Sequence, residues 1–208
     1  MAVNYTVQAE VVDIQSDTPK QDDIFLVDTN VWYWLTYTKA STSAQAYQIT
    51  TYPAYIARAL SAQGLLLYCG LSLAELAHNI EKTEREIFCA TITAQITAKE
   101  SKKYRHNYPD QRAKVVAEVQ TAWSTVISMA VSTDITVDEI TTNASLDRFQ
   151  TQLLDGYDLL ILEAMDKAGT VKVITDDGDY ATVPGIQVFT ANYNVITAAR
   201  NQGKLLTR

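Results

Sequence analysis

Apolar and polar positions fall into blocks along this chain. Ile24-Phe25-Leu26-Val27 is an unbroken apolar run that stops at Asp28. Such a run suits a strand buried on both faces, as in a parallel sheet. Leu65-Leu66-Leu67-Tyr68-Cys69, Val171-Lys172-Val173-Ile174-Thr175 and Ile186-Gln187-Val188-Phe189 are three more strand-like runs. Helical periodicity lies between them. Tyr157, Leu160, Ile161, Ala164, Met165 and Ala168 share one face, which predicts a helix over 157–168 closed by Gly169. Further helices are predicted over 31–37, 44–62, 72–86 and 192–203, with a short one over about 144–154. Pro53 predicts a kink or a break in the second of these, and Gly64 a C-cap that ends it. Residues 87–131 read as a long helical hairpin interrupted near Asn107-Tyr108-Pro109, and 134–147 as polar and irregular.

Residues 1–23 form an N-terminal extension. The alternating Tyr5–Val11 stretch suits an added edge strand, and 16–23 a loop or flexible lead-in. Strands alternating with helices predict an α/β fold of three α/β/α layers around a central parallel sheet. The expected organisation is one domain over 24–208, with a helical insertion or hairpin at about 87–131.

Composition narrows the class. The hydrophobic share is 47% and the charged share 20%, as in an ordinary soluble globular protein. A net charge of −7 argues against broad attraction to nucleic acid or to an anionic membrane. One local exception stands out. Around the hairpin turn, Lys99, Lys102, Lys103, Arg105, Arg112 and Lys114 face only Glu100 and Asp110, a local charge of +4, with Tyr104 and Tyr108 among them. Basic residues with interleaved aromatics suit single-stranded nucleic acid, and equally a solvated helix tip. Arg200, Lys204 and Arg208 are further candidate backbone contacts. Two cysteines, Cys69 and Cys89, give no disulfide framework and fit a reducing, cytoplasmic interior. Met1-Ala2-Val3-Asn4-Tyr5 lacks the basic start and apolar run of a signal peptide, and no run is long enough to span a membrane.

The candidate chemistry lies in acids at element junctions. Asp28 follows the first core strand, and Glu75 lies in the first turn of the helix after the second. Asp158 opens the amphipathic helix, and Asp177, flanked by Asp176 and Asp179, follows the third core strand. Each has a structural reading. Asp28 or Asn30 caps a helix. Ser72-Leu73-Ala74-Glu75 is a capping box. Asp155 and Asp158 are an N-cap and a first-turn acid, and 176–179 is a turn. Together they read differently. In open α/β sheets ligands bind beyond the carboxyl ends of the strands. Several carboxylates there offer the hard oxygen ligands that Mg²⁺ or Mn²⁺ takes.

These motifs resemble the PIN-domain nucleases. The matching pieces are Leu26-Val27-Asp28-Thr29-Asn30, Ser72-Leu73-Ala74-Glu75-Leu76, Gly156-Tyr157-Asp158-Leu159-Leu160-Ile161, Val173-Ile174-Thr175-Asp176-Asp177-Gly178-Asp179-Tyr180 and Val183-Pro184-Gly185-Ile186-Gln187-Val188, over about 24–190. The resemblance implies a Mg²⁺- or Mn²⁺-dependent endoribonuclease acting on single-stranded RNA. Asp28, Glu75, Asp158 and Asp177 would be its catalytic, metal-binding carboxylates and Asp179 a fifth ligand. Asn30 and Thr175 would orient the site. On this reading Lys102, Lys103, Arg105 and Arg112 are the candidate RNA contacts. Many members of the family are toxins held by an antitoxin. This chain departs from the compact toxins by its N-terminal extension and by enlarged helical regions at 38–63 and 87–131. An antitoxin or other protein partner and a homodimer stay open, and no membrane partner is expected.

Rival readings are weaker. A haloacid dehalogenase-like phosphatase needs a second acid two residues after the first, where this chain has Asn30. Glu75-Leu76-Ala77-His78 has the Glu-x-x-His spacing of a di-iron ligand pair, but such a site needs two, and His106 has Lys103 three residues before it. The non-enzymatic rival is a catalytically silent module of the same fold that binds protein or RNA.

Overall fold

The computed structural model describes residues 3–91, 96–97 and 99–208. Its centre is a six-stranded sheet in which every pairing is parallel. The strands are β1 (Glu10–Asp13), β2 (Ile24–Val27), β3 (Leu65–Cys69), β4 (Val131–Thr133), β5 (Lys172–Ile174) and β6 (Gln187–Thr190), in the order β1-β6-β5-β2-β3-β4. Leu26 lies opposite Leu67 on one side and Val173 on the other. The central strands are mostly apolar because both faces are covered.

Helices α1 (Thr29–Thr36), α2 (Ala46–Ser61), α3 (Ser72–Thr91) and α5 (Pro109–Met129) pack over one face. Trp32, Tyr52, Tyr55, Leu76, Ile80 and Val126 meet Phe25, Val27, Leu66 and Phe189 there. Helices α7 (Gly156–Lys167) and α8 (Tyr193–Asn201) cover the other, where Leu159, Leu162, Met165, Val195 and Ile196 meet Leu26, Leu67, Val173 and Val188. The short α4 (Ser101–Asn107) packs against α5, and α6 (Glu139–Phe149) against α7. This is the expected three-layer α/β/α architecture. Among the described residues, no helix is long and apolar enough to cross a membrane.

Chain order fixes where a site can form. From β2 the chain moves outward to β3 and β4, then returns to the opposite side of β2 for β5 and β6. The strand order reverses at β2, and ligands of open α/β sheets bind at such a switch point. Asp28 is the residue that ends β2 there.

Several local expectations are corrected. Helix α2 runs as one element through Pro53, its side chains Tyr52, Tyr55, Ile56 and Ala59 held in the core. Its end is not capped by Gly64: Gln63 takes the left-handed conformation (φ 62°). Gly64 instead permits close approach, since a Cβ there would lie 3.2 Å from the Lys20 carbonyl and 3.3 Å from that of Ala59. The added edge strand forms, but at Glu10–Asp13 rather than 5–11. Residues 16–23 are no flexible lead-in, because Asp17, Pro19 and Asp23 are buried. Helix α3 continues to Thr91, and α6 starts earlier than predicted, at Glu139. The helical hairpin breaks between Asn107 and Pro109 as expected, but ends in strand β4 at 131–133. The parts of that hairpin at 92–95 and 98 lie outside the described residues.

Candidate active site

Asp28 stands at the C-terminal end of β2 as the N-cap of α1. Its Oδ1 accepts from the Thr29 amide at 2.6 Å, and its Oδ2 accepts from the Thr175 hydroxyl at 2.5 Å. The cap reading is therefore correct for one oxygen only. The same Thr175 hydroxyl accepts from the Asp177 amide at 2.9 Å and, at 3.5 Å, from the Asn30 side-chain amide. One fully buried threonine thus ties the ends of β2 and β5 and the first turn of α1 into one corner.

Helix α3 brings Glu75 to this corner. Leu76 and Ile80 bury its core face, and Glu75 points along a different one. Glu75 Oε2 is buried without a hydrogen-bond partner, so this oxygen does not close the expected capping box. The buried Thr29 hydroxyl lies beside the Glu75 carboxyl, near enough to favour its charged form but without a well-formed hydrogen bond. From the opposite layer α7 supplies Asp158, which is 7% exposed and accepts from the Tyr180 hydroxyl at 2.9 Å. Asp177 caps the 3-10 turn over Gly178–Thr182 by accepting from the Asp179 amide.

The electrostatics show that these acids face one another. Burial pushes the Asp28 carboxyl well above its ordinary range, and the charges of Asp158 and Glu75 push it further against the pull of Thr175. Burial also raises Asp158, to about 7; Tyr180 opposes this, while Asp155, Asp177 and Glu75 add to it. Glu75 is raised by burial, offset by the Thr29 hydroxyl, and raised again by Asp155 and Asp177. Burial comes first for Asp177 and Asp179 too; the Asp179 amide opposes it at Asp177, and neighbouring acids add to it in both. Asp28, Glu75, Asp158 and Asp177 are therefore near enough to act on one another's charge, and Asp179 feels Asp177.

Two participants were not singled out from the sequence. Asp155, the N-cap of α7, adds negative charge to Glu75, Asp158, Asp177 and Asp179. Its signal was its place one helical turn before Asp158. Tyr180 had none, because its partner lies on another element. Asp176, by contrast, turns away. It accepts from the hydroxyls of Tyr47 and Tyr52 at 2.8 and 2.6 Å and from the Gln48 amide at 2.7 Å, which fastens α2 to the end of β5.

The expected RNA contacts are not brought to the carboxylates. Arg105 and Arg112 both bind Glu81 on another face of α3, at 2.9 and 3.0 Å. Lys103 pairs with Glu100, while Lys102 is exposed. Arg208 is mostly buried, held by Asp17 and Asp23.

Among the described residues, no three of His, Cys, Asp and Glu stand as a ready metal-ligand group. Asp28 spends its oxygens on Thr29 and Thr175, Asp158 one on Tyr180, and Asp177 one on the Asp179 amide. The donor set itself is all carboxylate, with one buried Glu75 oxygen unpartnered, and its chemistry fits a hard divalent cation. No family model matches this chain, and neither a curated protein nor a solved structure is significantly similar to it.

Proposed function

We propose that this chain is a Mg²⁺- or Mn²⁺-dependent endoribonuclease of the PIN-domain kind, hydrolysing phosphodiester bonds of single-stranded RNA. The observation that carries the reading is the buried, unpartnered Glu75 Oε2 in a corner where Asp28, Asp158 and Asp177 all have raised pKa values. Mutually repelling buried carboxylates cost stability, and a divalent cation offsets that repulsion. Asp28, Glu75, Asp158 and Asp177 would hold it. When bound, such a cation supplies hydroxide at neutral pH and stabilises charge on the phosphate oxygens.

The chain's own residues set the geometry. Thr175 fixes the Asp28 carboxylate, and Tyr180 fixes Asp158. Asn30 stands at the mouth beside Thr175. A bound cation would favour the charged form of these carboxylates and would offer a phosphate a positive charge to approach.

The test is cleavage of a labelled single-stranded RNA in Mn²⁺, Mg²⁺ or a chelator. Metal-dependent fragments support the reading, and turnover of p-nitrophenyl phosphate with intact RNA would move it to a phosphatase. The lack of three ready-placed ligands favours one second reading, a silent binding module. That reading requires folded protein to leave RNA intact with either metal.

A further inference from the structure

A groove lies between α1 and α3, and Asn30 in its lining borders the carboxylate corner. Its walls are two helix faces: Asn30, Tyr33 and Trp34 from α1, and Asn79, Lys82, Thr83 and Glu86 from α3. Both sets follow helical spacing, at i, i+3 and i+4 on α1 and at i, i+3, i+4 and i+7 on α3. The α3 set continues the face of Glu75, since Asn79 and Lys82 lie four and seven positions further on. Lys82 is thus about 10 Å along the helix from the candidate ligand. Asn30 joins the groove to the corner, because its amide donates to Thr175, the residue that holds Asp28.

We propose that this groove seats one nucleotide of a single-stranded RNA beside the carboxylates, with Lys82 on its phosphate, Trp34 against its base and Asn79 on its polar edge. The proposal rests on the nuclease reading for the identity of the strand.

The lining matches that ligand in each part. Lys82 is exposed, and among the described residues no ion pair holds it, so its charge is available to a phosphate. Arg105 and Arg112 instead share Glu81. Trp34 is half-buried and braced by the Tyr52 ring at 5.3 Å, which makes it a fixed stacking surface. Base–aromatic stacking tolerates any base. Tyr33 is locked by bonds to the hydroxyls of Thr83, at 2.7 Å, and Ser43, at 3.2 Å, so the groove floor is preformed. Its volume of about 180 Å³ is too small for a long tract. Glu86, at the far end of the α3 lining, adds a negative charge that disfavours a second phosphate there.

The test is the binding of a fluorescently labelled oligouridine RNA, followed by anisotropy at several salt concentrations. Asp28→Asn protein in Mg²⁺ serves as the parent, so that the strand stays intact. Lys82→Gln is expected to weaken binding about 3- to 10-fold and to reduce the salt slope by about 0.7, the value of one lost phosphate contact on a single strand. Trp34→Ala should weaken binding while Trp34→Phe retains most of it. Circular dichroism checks that each variant is folded. Unchanged binding in Lys82→Gln, with the loss appearing in Lys102→Gln or Lys103→Gln, overturns the proposal. No RNA binding by the parent also overturns it. The two readings fail separately. Lys82-dependent binding by a native chain that never cleaves RNA keeps the groove and removes the nuclease. Cleavage indifferent to Lys82 does the reverse.

Discussion

The Thr175 hydroxyl donates to Asp28 Oδ2 at 2.5 Å across 147 positions of sequence. It joins side chains at the ends of β2 and β5, beside the backbone bond from the Asp28 amide to the Ile174 carbonyl, and it aims the carboxylate on which the proposed chemistry depends. Thr175→Val removes that donor and leaves the Asp177 amide without its acceptor. The expected cost is about 1–3 kcal/mol of stability. A fall of about 10- to 100-fold in cleavage or metal affinity is also expected, as for other residues that orient ligands. Chemical denaturation and cleavage rates check the two effects. Thr175→Ser, which keeps the hydroxyl, should recover most of the activity.

The raised carboxylates make stability depend on pH and on divalent cations together. Asp158 has a folded value of about 7, against about 3.9 when unfolded. Between those values the native state holds more protons than the unfolded state, so unfolding free energy falls as pH rises. Asp28, Glu75 and Asp177 are shifted in the same direction. In chelator the thermal midpoint should fall from about pH 5 towards pH 8. Asp158→Asn should flatten that fall, and Mn²⁺ should raise the midpoint at the alkaline end. Midpoints unaffected by Mn²⁺ would contradict the expectation.

Asp176 and Asp177 are neighbours with opposite roles. Asp176 accepts from Tyr47, Tyr52 and Gln48. Asp176→Ala strands these donors and should destabilise the fold by about 1–3 kcal/mol. Asp177→Asn removes one of the repelling charges, so it should unfold at a higher temperature in chelator while losing cleavage. Paired thermal melts and activity assays distinguish them.

Arg208 closes the other end of the sheet. Its guanidinium binds Asp17 through two bonds of 2.9 Å and Asp23 at 2.6 and 2.8 Å, and stacks 4.6 Å from the Phe189 ring centre. Although burial opposes it, Arg208, Lys172 and the Lys20 amide hold the Asp23 carboxyl well below its usual range. Arg208→Ala leaves buried Asp17 without a cation and Asp23 with Lys172 alone. A loss of about 3–5 kcal/mol is expected in denaturant titrations. Arg208→Lys should recover only part of it, since one ammonium cannot replace the planar fork.

Which of these features the sequence reveals follows from the range of the signal. Strands β2, β3, β5 and β6 were legible because burial on both faces leaves a local apolar run. Strand β4 was not: it has three residues, its Val131 is 55% exposed, and it follows the last turn of α5 directly. The four central acids were legible because they sit at strand–helix junctions. The separation of Asp176 from them was not, because it is made by hydroxyls on α2 more than a hundred positions away. Asp17 and Asp23 read as loop acids for the same reason, their partner being Arg208. The basic hairpin tip suited either a nucleic-acid surface or a solvated helix tip, since the sequence hides the ion pairs of Arg105 and Arg112 with Glu81.

The central claim is that Asp28, Glu75, Asp158 and Asp177 form one divalent-cation site. Its most direct measurement is titration of Mn²⁺ into the chain, with free Mn²⁺ read from its paramagnetic resonance signal. Asp28→Asn and Glu75→Gln proteins are titrated alongside. The expected result is saturable uptake of one or two ions per chain by the native protein and marked weakening in both variants. Native protein that takes up no Mn²⁺, or variants that take it up equally well, would contradict the account.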